Sequence, residues 1–526
     1  MPGRIGKLLA GLLVTLAASA RAEPPSEREM AARVDAHLAE VWDRERIQPA
    51  PPADDAEFLR RAWLDLCGII PPLNDPDGIS GVRNFLESTD PDKRRRVSER
   101  LLAKPTHATH FATIWRNVLL PTDANVQQLG GDALFQSWLR GQFADNVPYD
   151  RLASDLLLAK GPVNESGPAL FYLALQLKPE ELAASTSRVF LGTQIQCAQC
   201  HDHPYDHWQK KDFWGYAAFF AQLLRPGAQV MQPLAFQVLD AERGEVTIPG
   251  TTEVVLPQFL GGDVSADERG TERRERLVKW LVAPDNPYFA RAAVNRVWAL
   301  LFGRGLVHPL DDFGKHNAAS HPALLDDLAA YFIETHYDMN RLIRVLTQTR
   351  AYQLSSRSTA GGDDRGEMFA RMAIKSLSAE QLYDCLIEAM RRRQTAVPAG
   401  ARFIAAGGFD PVRQTFLSSF RAPGQGATEY EGGIPLALTL MNGPTIRQAT
   451  DLSQSDLLVA LEAPFFSNSE RVEVLFLSAL SRPPSSQERE KFVSHVEGAQ
   501  RGLGTRQALS DVLWALLNTA EFALNH

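Results

Sequence analysis

Gln196-Cys197-Ala198-Gln199-Cys200-His201-Asp202-His203-Pro204-Tyr205-Asp206-His207-Trp208 holds two of the four cysteines and three of the twelve histidines in a chain of 526 residues. Cys197-Ala198-Gln199-Cys200-His201 has the C-x-x-C-H form of covalent c-type haem attachment. Two thiols three positions apart each take one haem vinyl group, and the adjacent imidazole becomes the proximal iron ligand. C-x-x-C by itself is equally half of a zinc site or a redox pair. The flanks decide the fold class. Glu180 to Leu191 before the stretch, and Asp212 to Leu224 after it, carry helical periodicity. A thioredoxin-type dithiol would need a βαβ setting, which these flanks do not supply.

Working outward, the helical pattern extends in both directions. Met30, Val34, Leu38 and Val41 recur at spacings of four and three, and Pro49, Pro51 and Pro52 end that helix. Glu57 to Cys67 is a second helix with Gly68 as its stop. Val82 to Ser88 and Asp92 to Ala103 are further helices, the latter carrying Lys93-Arg94-Arg95-Arg96 as an expected solvated face. More helical patterns surround Trp115, Trp138 and Leu152–Leu158, with Asp150 expected to cap the last and Asp212 to cap the aromatic helix that follows the Cys/His stretch. From 226 to 262 the character changes. Val230, Phe236, Val238, Val246, Ile248, Val254, Val255 and Leu256 fall in short alternating runs between turns, a small β insertion of two to four strands. Helical periodicity returns from Glu275, with irregular breaks at 360–366 and 399–433. The expected fold is mainly α, two helical domains (23–225 and 263–526) with a small β insertion between them. With 44% apolar residues the core comes from burial rather than from disulfides.

The first 22 residues have the form of a secretory signal. Arg4 and Lys7 precede an uncharged apolar run from Leu8 to Ala18, and Ala20-Arg21-Ala22 offers small residues at the cleavage positions. That run is shorter than the ~20 residues a bilayer span needs, so no transmembrane anchor is expected. Cleavage near Ala22 would remove Arg4, Lys7 and Arg21 and no acid, moving the net charge from −8 to −11. Such a balance disfavours nucleic acid as a partner. The expected location is the periplasm or cell envelope, where free thiol pairs tend to oxidise.

Phe190 to Pro204, with Ala62-Trp63-Leu64-Asp65-Leu66-Cys67-Gly68-Ile69-Ile70-Pro71-Pro72 and Asn146-Val147-Pro148-Tyr149-Asp150-Arg151-Leu152, resembles the planctomycete cytochrome-c-like domain, domain of unknown function 1549. Pro284 to Arg291, Val294-Asn295-Arg296-Val297-Trp298, Gly303 to Val307, Asp311-Asp312-Phe313, Ser320-His321-Pro322 and the stretch Trp514 to His526 resemble its usual partner, planctomycete-specific domain 1 (domain of unknown function 1553). The resemblance implies a cytochrome-like role without defining an activity. Many members carry a further haem domain with its own C-x-x-C-H, whereas this sequence holds one such motif.

Three readings of the stretch stay open. In the first, Cys197, Cys200 and His201 bind haem c, and electrons pass to an unidentified redox partner protein. The sixth ligand would be His203, His207, Met231 or none, with His203 too close in sequence to reach the opposite face of the same iron. Trp208, Phe213, Trp214 and Phe219 would line an apolar pocket or simply belong to the core. In the second, zinc or iron is held by His201, His203, His207 and Asp206 together with Cys197 and Cys200, giving a structural or hydrolytic metalloprotein, such as one that handles cell-surface or polysaccharide material. In the third, a Cys197–Cys200 disulfide is purely structural. A second cluster of His308, Asp311, Asp312, His316, Asn317 and His321 can bind a divalent metal or do acid–base work. Its bland alternative is that Ser320 caps the following helix and that Asp311 and Asp312 pair with Arg296 or Arg304. Asn295 and Arg296 are expected to serve packing, Gly303-Arg304-Gly305 to stop a helix, and Cys67 and Cys385 to be buried free thiols.

Overall fold

The computed structural model describes residues 23–121, 132–224, 237–262, 272–357, 365–390, 411–418, 455–499 and 503–526. The signal-like segment 1–22, Val230, Met231, Phe236 and most of the two expected irregular breaks lie outside these residues.

Helix boundaries follow local chemistry. Glu27–Glu45 starts on a capping box in which Ser26 Oγ accepts from Glu29 N, and the Glu29 carboxylate accepts from Ser26 N at 2.8 Å. Its buried stripe is Met30, Val34, Leu38 and Trp42, so the last member is Trp42 rather than the expected Val41. The indole explains the difference, because Trp42 Nε1 donates to the Met368 carbonyl at 2.7 Å. After this helix the proline-rich segment runs extended and bonds into the second half of the chain. Ala53 N donates to Gln353 O and Ser355 N to Pro51 O, both at 2.8 Å.

Asp55–Cys67 is the central pillar. Asp54 caps it, and every residue from Glu57 to Cys67 is buried, charged ones included. Arg61 pairs with Glu57 at 2.7 Å and donates to the carbonyls of Tyr352 (2.7 Å) and Leu354 (2.9 Å). Arg60 donates to the carbonyls of Ala479 (3.1 Å), Glu521 (3.1 Å) and Phe522 (2.9 Å). Asp65 accepts from Lys375 Nζ (2.5 Å), Tyr352 Oη (2.9 Å) and Asn525 Nδ2 (2.7 Å). Buried charges need partners, and here they come from four distant stretches of chain, leaving the Nε atoms of Arg60 and Arg61 unbonded.

The two halves therefore share one apolar core, continuous from Met30 to Phe522. Tyr149 stacks on Phe289 with ring centroids 5.1 Å apart, and helix Phe289–Phe302 packs along helix Pro179–Leu191. The fold is mainly α, as expected, and its sheets are small. Val246–Thr247 and Val254–Val255 form a hairpin inside the insertion. Gln237–Val238 pairs back with Gly161–Pro162, and Lys375–Ser376 pairs with Leu524–Asn525. That last ladder was not expected from the sequence. Among the described residues no helix is long and apolar enough to cross a membrane.

Three local expectations are corrected. Asp150 does not cap its helix but sits in the first turn of Tyr149–Leu157, behind Pro148. Asp212 is the third residue of a capping box, accepting from Gln209 N at 2.8 Å, and the helix runs Lys210–Ala217. Lys93 and Arg94 are not solvated. Both turn to Asp55, at 2.6 and 2.9 Å, while Arg95 and Arg96 face water. The pillar's N-terminal carboxylate draws the first two inward.

Candidate cofactor site

Helix Pro179–Leu191 delivers the Cys/His stretch. It ends at Gly192 with φ +62°, where a Cβ would lie 2.6 Å from the Phe313 ring. Glycine is required there by conformation and by space. Phe313 N donates to Gly192 O at 2.9 Å, so the loop that follows Gly303 is seated on the helix end. One 3₁₀ turn, Gln196–Gln199, follows. Its Ala198 points into the core, and Trp214 Nε1 donates to Gln199 O at 3.1 Å. Inward Ile195 and Ala198 leave Cys197, Cys200 and His201 exposed, both thiols unbridged. His203 N donates to Trp208 O at 2.8 Å and closes a short loop over the buried Trp208. Phe213, Trp214 and Phe219 are also buried, as ordinary core.

The three imidazoles are held differently. His201 Nδ1 lies 2.8 Å from the Asp202 carbonyl. His203 Nδ1 accepts from the backbone N–H groups of Asp206 (2.9 Å) and Tyr205 (3.3 Å). His207 Nδ1 lies 2.6 Å from Asp206 Oδ1, which also accepts from His207 N at 2.7 Å. The Asp206 side chain is 5% exposed. Burial works against its charge, but the hydrogen bonds from His207 and the nearby His207 and His316 imidazoles outweigh it and hold the carboxyl below the usual range.

The second cluster reaches this segment only in part. Asp312 holds His316 Nε2 at 3.0 Å, and Gly314 sits between His316 and Asp206. A Cβ on Gly314 would fall 2.7 Å from Asp206 Oδ2 and 2.6 Å from the His316 ring. Tyr288 is close as well: burial first, and then Asp206, pushes its hydroxyl up. The other members point elsewhere. Asp311 pairs with Arg296, as expected, and with Arg188 at 3.3 Å, and it has no pairing with Arg304. Asn295 clamps the loop through Val307, accepting from its N–H and donating to its carbonyl, both at 2.9 Å. His308 is exposed. His321 is buried beside Phe369, and its ring is driven down to about 4 by burial and then by Arg44 and His37. Ser320 does not cap the helix Pro322–Glu334. Its Oγ donates to Leu306 O at 3.2 Å, and His321 occupies the cap position. Cys67 and Cys385 are buried free thiols, both pushed up to about 12 by burial. Among the described residues no three or more His, Cys, Asp or Glu side chains are grouped closely enough to hold a metal ion.

Residues 33–225 match the family described as PSCyt2, protein of unknown function (DUF1549), and residues 273–402 match PSD1, protein of unknown function (DUF1553). The chain is a PSCyt2–PSD1 protein. No curated protein and no solved structure matches it. The Cys/His stretch belongs to the PSCyt2 match and the Asp311–His321 loop to the PSD1 match, so the site stands where the two meet. The approach of His316, Gly314 and Tyr288 to Asp206 was not foreseen. Partners some hundred residues apart leave no local pattern in a single sequence.

Proposed function

We propose that this PSCyt2–PSD1 protein is an exported redox protein that carries one covalent c-type haem at Cys197, Cys200 and His201 and passes electrons to a partner protein. One observation carries the reading: the C-x-x-C-H segment is presented outward with two free thiols and with His201 anchored through Nδ1 alone. These residues fit the group. Each thiol adds across one vinyl double bond, sulfur to one carbon and hydrogen to the other, without net oxidation. His201 has its Nδ1 committed to a backbone carbonyl, the usual way of orienting a metal-binding imidazole, and offers Nε2. The attached haem supplies one-electron chemistry. The signal-like leader and the acidic balance support export and a protein partner rather than nucleic acid.

A second reading is favoured by the Asp206–His207 pair beside Asp312–His316. Carboxylate-oriented imidazoles of this kind serve hydrolytic acid–base chemistry, and non-haem zinc or iron only if further ligands close in, since no three such side chains are grouped for a metal among the described residues. The test is a visible spectrum of the mature protein exported in a host with an active cytochrome c maturation system. A Soret band that stays with the denatured polypeptide, and is lost in Cys197→Ala, is the expected result. A colourless, correctly exported protein refutes the haem reading, and metal analysis of the same sample then tests the second.

A further inference from the structure

The hydrogen bonds around the three neighbouring imidazoles determine which of them has a lone pair to give. A backbone carbonyl only accepts, so His201 Nδ1, 2.8 Å from Asp202 O, carries the proton and Nε2 is the basic nitrogen. A carboxylate only accepts, so His207 Nδ1, 2.6 Å from Asp206 Oδ1, also carries the proton and its Nε2 is basic. Backbone N–H groups only donate. His203 Nδ1 receives two of them, so its proton is on Nε2 and its one lone pair is already used.

Exposure and support agree with this sorting. His207 is half exposed, while the carboxylate that orients it is nearly buried and backed by Gly314 and His316 of the PSD1 loop. That is a fixed ligand on a rigid mount. The bond from His203 N to Trp208 O closes the loop at 2.8 Å and keeps His207 beside the motif, so His203 and His207 differ in which nitrogen is free rather than in reach. We propose that His201 and His207, and not His203, are the two axial ligands of the iron, making this a six-coordinate bis-histidine site. The assignment rests on the haem reading. It implies a closed coordination sphere suited to electron transfer rather than to binding a small ligand.

The test uses the full mature holoprotein, by visible and electron paramagnetic resonance spectroscopy. Wild type is expected to be low-spin in the ferric state. His207→Ala is expected to become high-spin and to recover the low-spin signal when free imidazole is added, and His203→Ala to stay low-spin. If His207→Ala loads poorly, His207→Met retains a ligand and should raise the reduction potential, because a methionine–histidine pair favours the reduced iron. A high-spin wild type, a low-spin His207→Ala without imidazole, a high-spin His203→Ala or an unmoved potential in His207→Met overturns the assignment. Loss of the haem reading itself looks different: no Soret band in any variant, which removes both claims.

Discussion

Lys375→Met tests whether the two domains are one folding unit. Lys375 Nζ bonds Asp65 at 2.5 Å and the carbonyls of Leu300 (3.0 Å) and Leu301 (2.8 Å), and the Asp65 side chain is 4% exposed. Methionine fills the same volume but leaves Asp65 with only the Tyr352 hydroxyl and the Asn525 amide. Removing one partner of a buried pair costs about 3–5 kcal/mol. If roughly 500 residues unfold together, the unfolding entropy is about 1 kcal/mol per degree and the melting temperature falls by about 3–5 °C. If the first ~200 residues melted alone, the same energy would move their transition by about 7–12 °C and leave the other in place. Scanning calorimetry distinguishes these. The double variant Asp65→Asn with Lys375→Met removes both charges and should recover part of the loss. Two separate transitions, or a single one displaced by less than 1 °C, would refute the idea of a shared core pinned by this pair.

Three further outcomes are expected. His321 is buried with its ring near 4 instead of 6.5, so the unfolded state binds more protons between those values. Its contribution is complete above pH 6.5 and is lost as pH falls towards 4, about 3 kcal/mol in all; His321→Phe should flatten stability against pH in that window, and an unchanged slope contradicts the assignment. Gly192→Ala forces a side chain into the left-handed region and against Phe313, costing about 2–4 kcal/mol in urea titrations; a cost under 0.5 kcal/mol would show that the helix end is not held by the PSD1 loop. In protein made without haem, a thiol reagent should titrate two cysteines quickly under native conditions, Cys197 and Cys200, and all four only after denaturation; slow reaction of either exposed thiol would contradict their placement.

Much of the mainly helical fold was legible because its signals are local. The four-and-three spacing of Met30, Val34 and Leu38, the Ser26 box and the Gly68 stop each lie within a turn or two of the element they define. The Cys/His stretch was legible for the same reason, its chemistry being contiguous. The Asp311–Arg296 pair was within reach, fifteen positions apart on a helix and the loop after it. What escaped was long-range polar pairing. Asp65 meets Lys375 and Asn525, and Asp206 lies near His316 across Gly314, through tertiary placements that no periodicity encodes. Misjudged caps have a related origin. Ser320 is a good N-cap by type, but the Leu306 carbonyl claims its hydroxyl, and Lys93 looks solvated until Asp55 is placed beside it.

The bond from Asn525 to Asp65 spans 460 positions. At the usual pace of ~5–20 residues per second, a ribosome takes roughly 20–90 s to cover that interval. For the first 287 positions of that interval the Asp65 carboxylate has none of its side-chain partners, and Arg60 waits longer still for the carbonyls of Ala479, Glu521 and Phe522. The nascent chain therefore cannot seal its interior early. It stays open to chaperones until late in its synthesis.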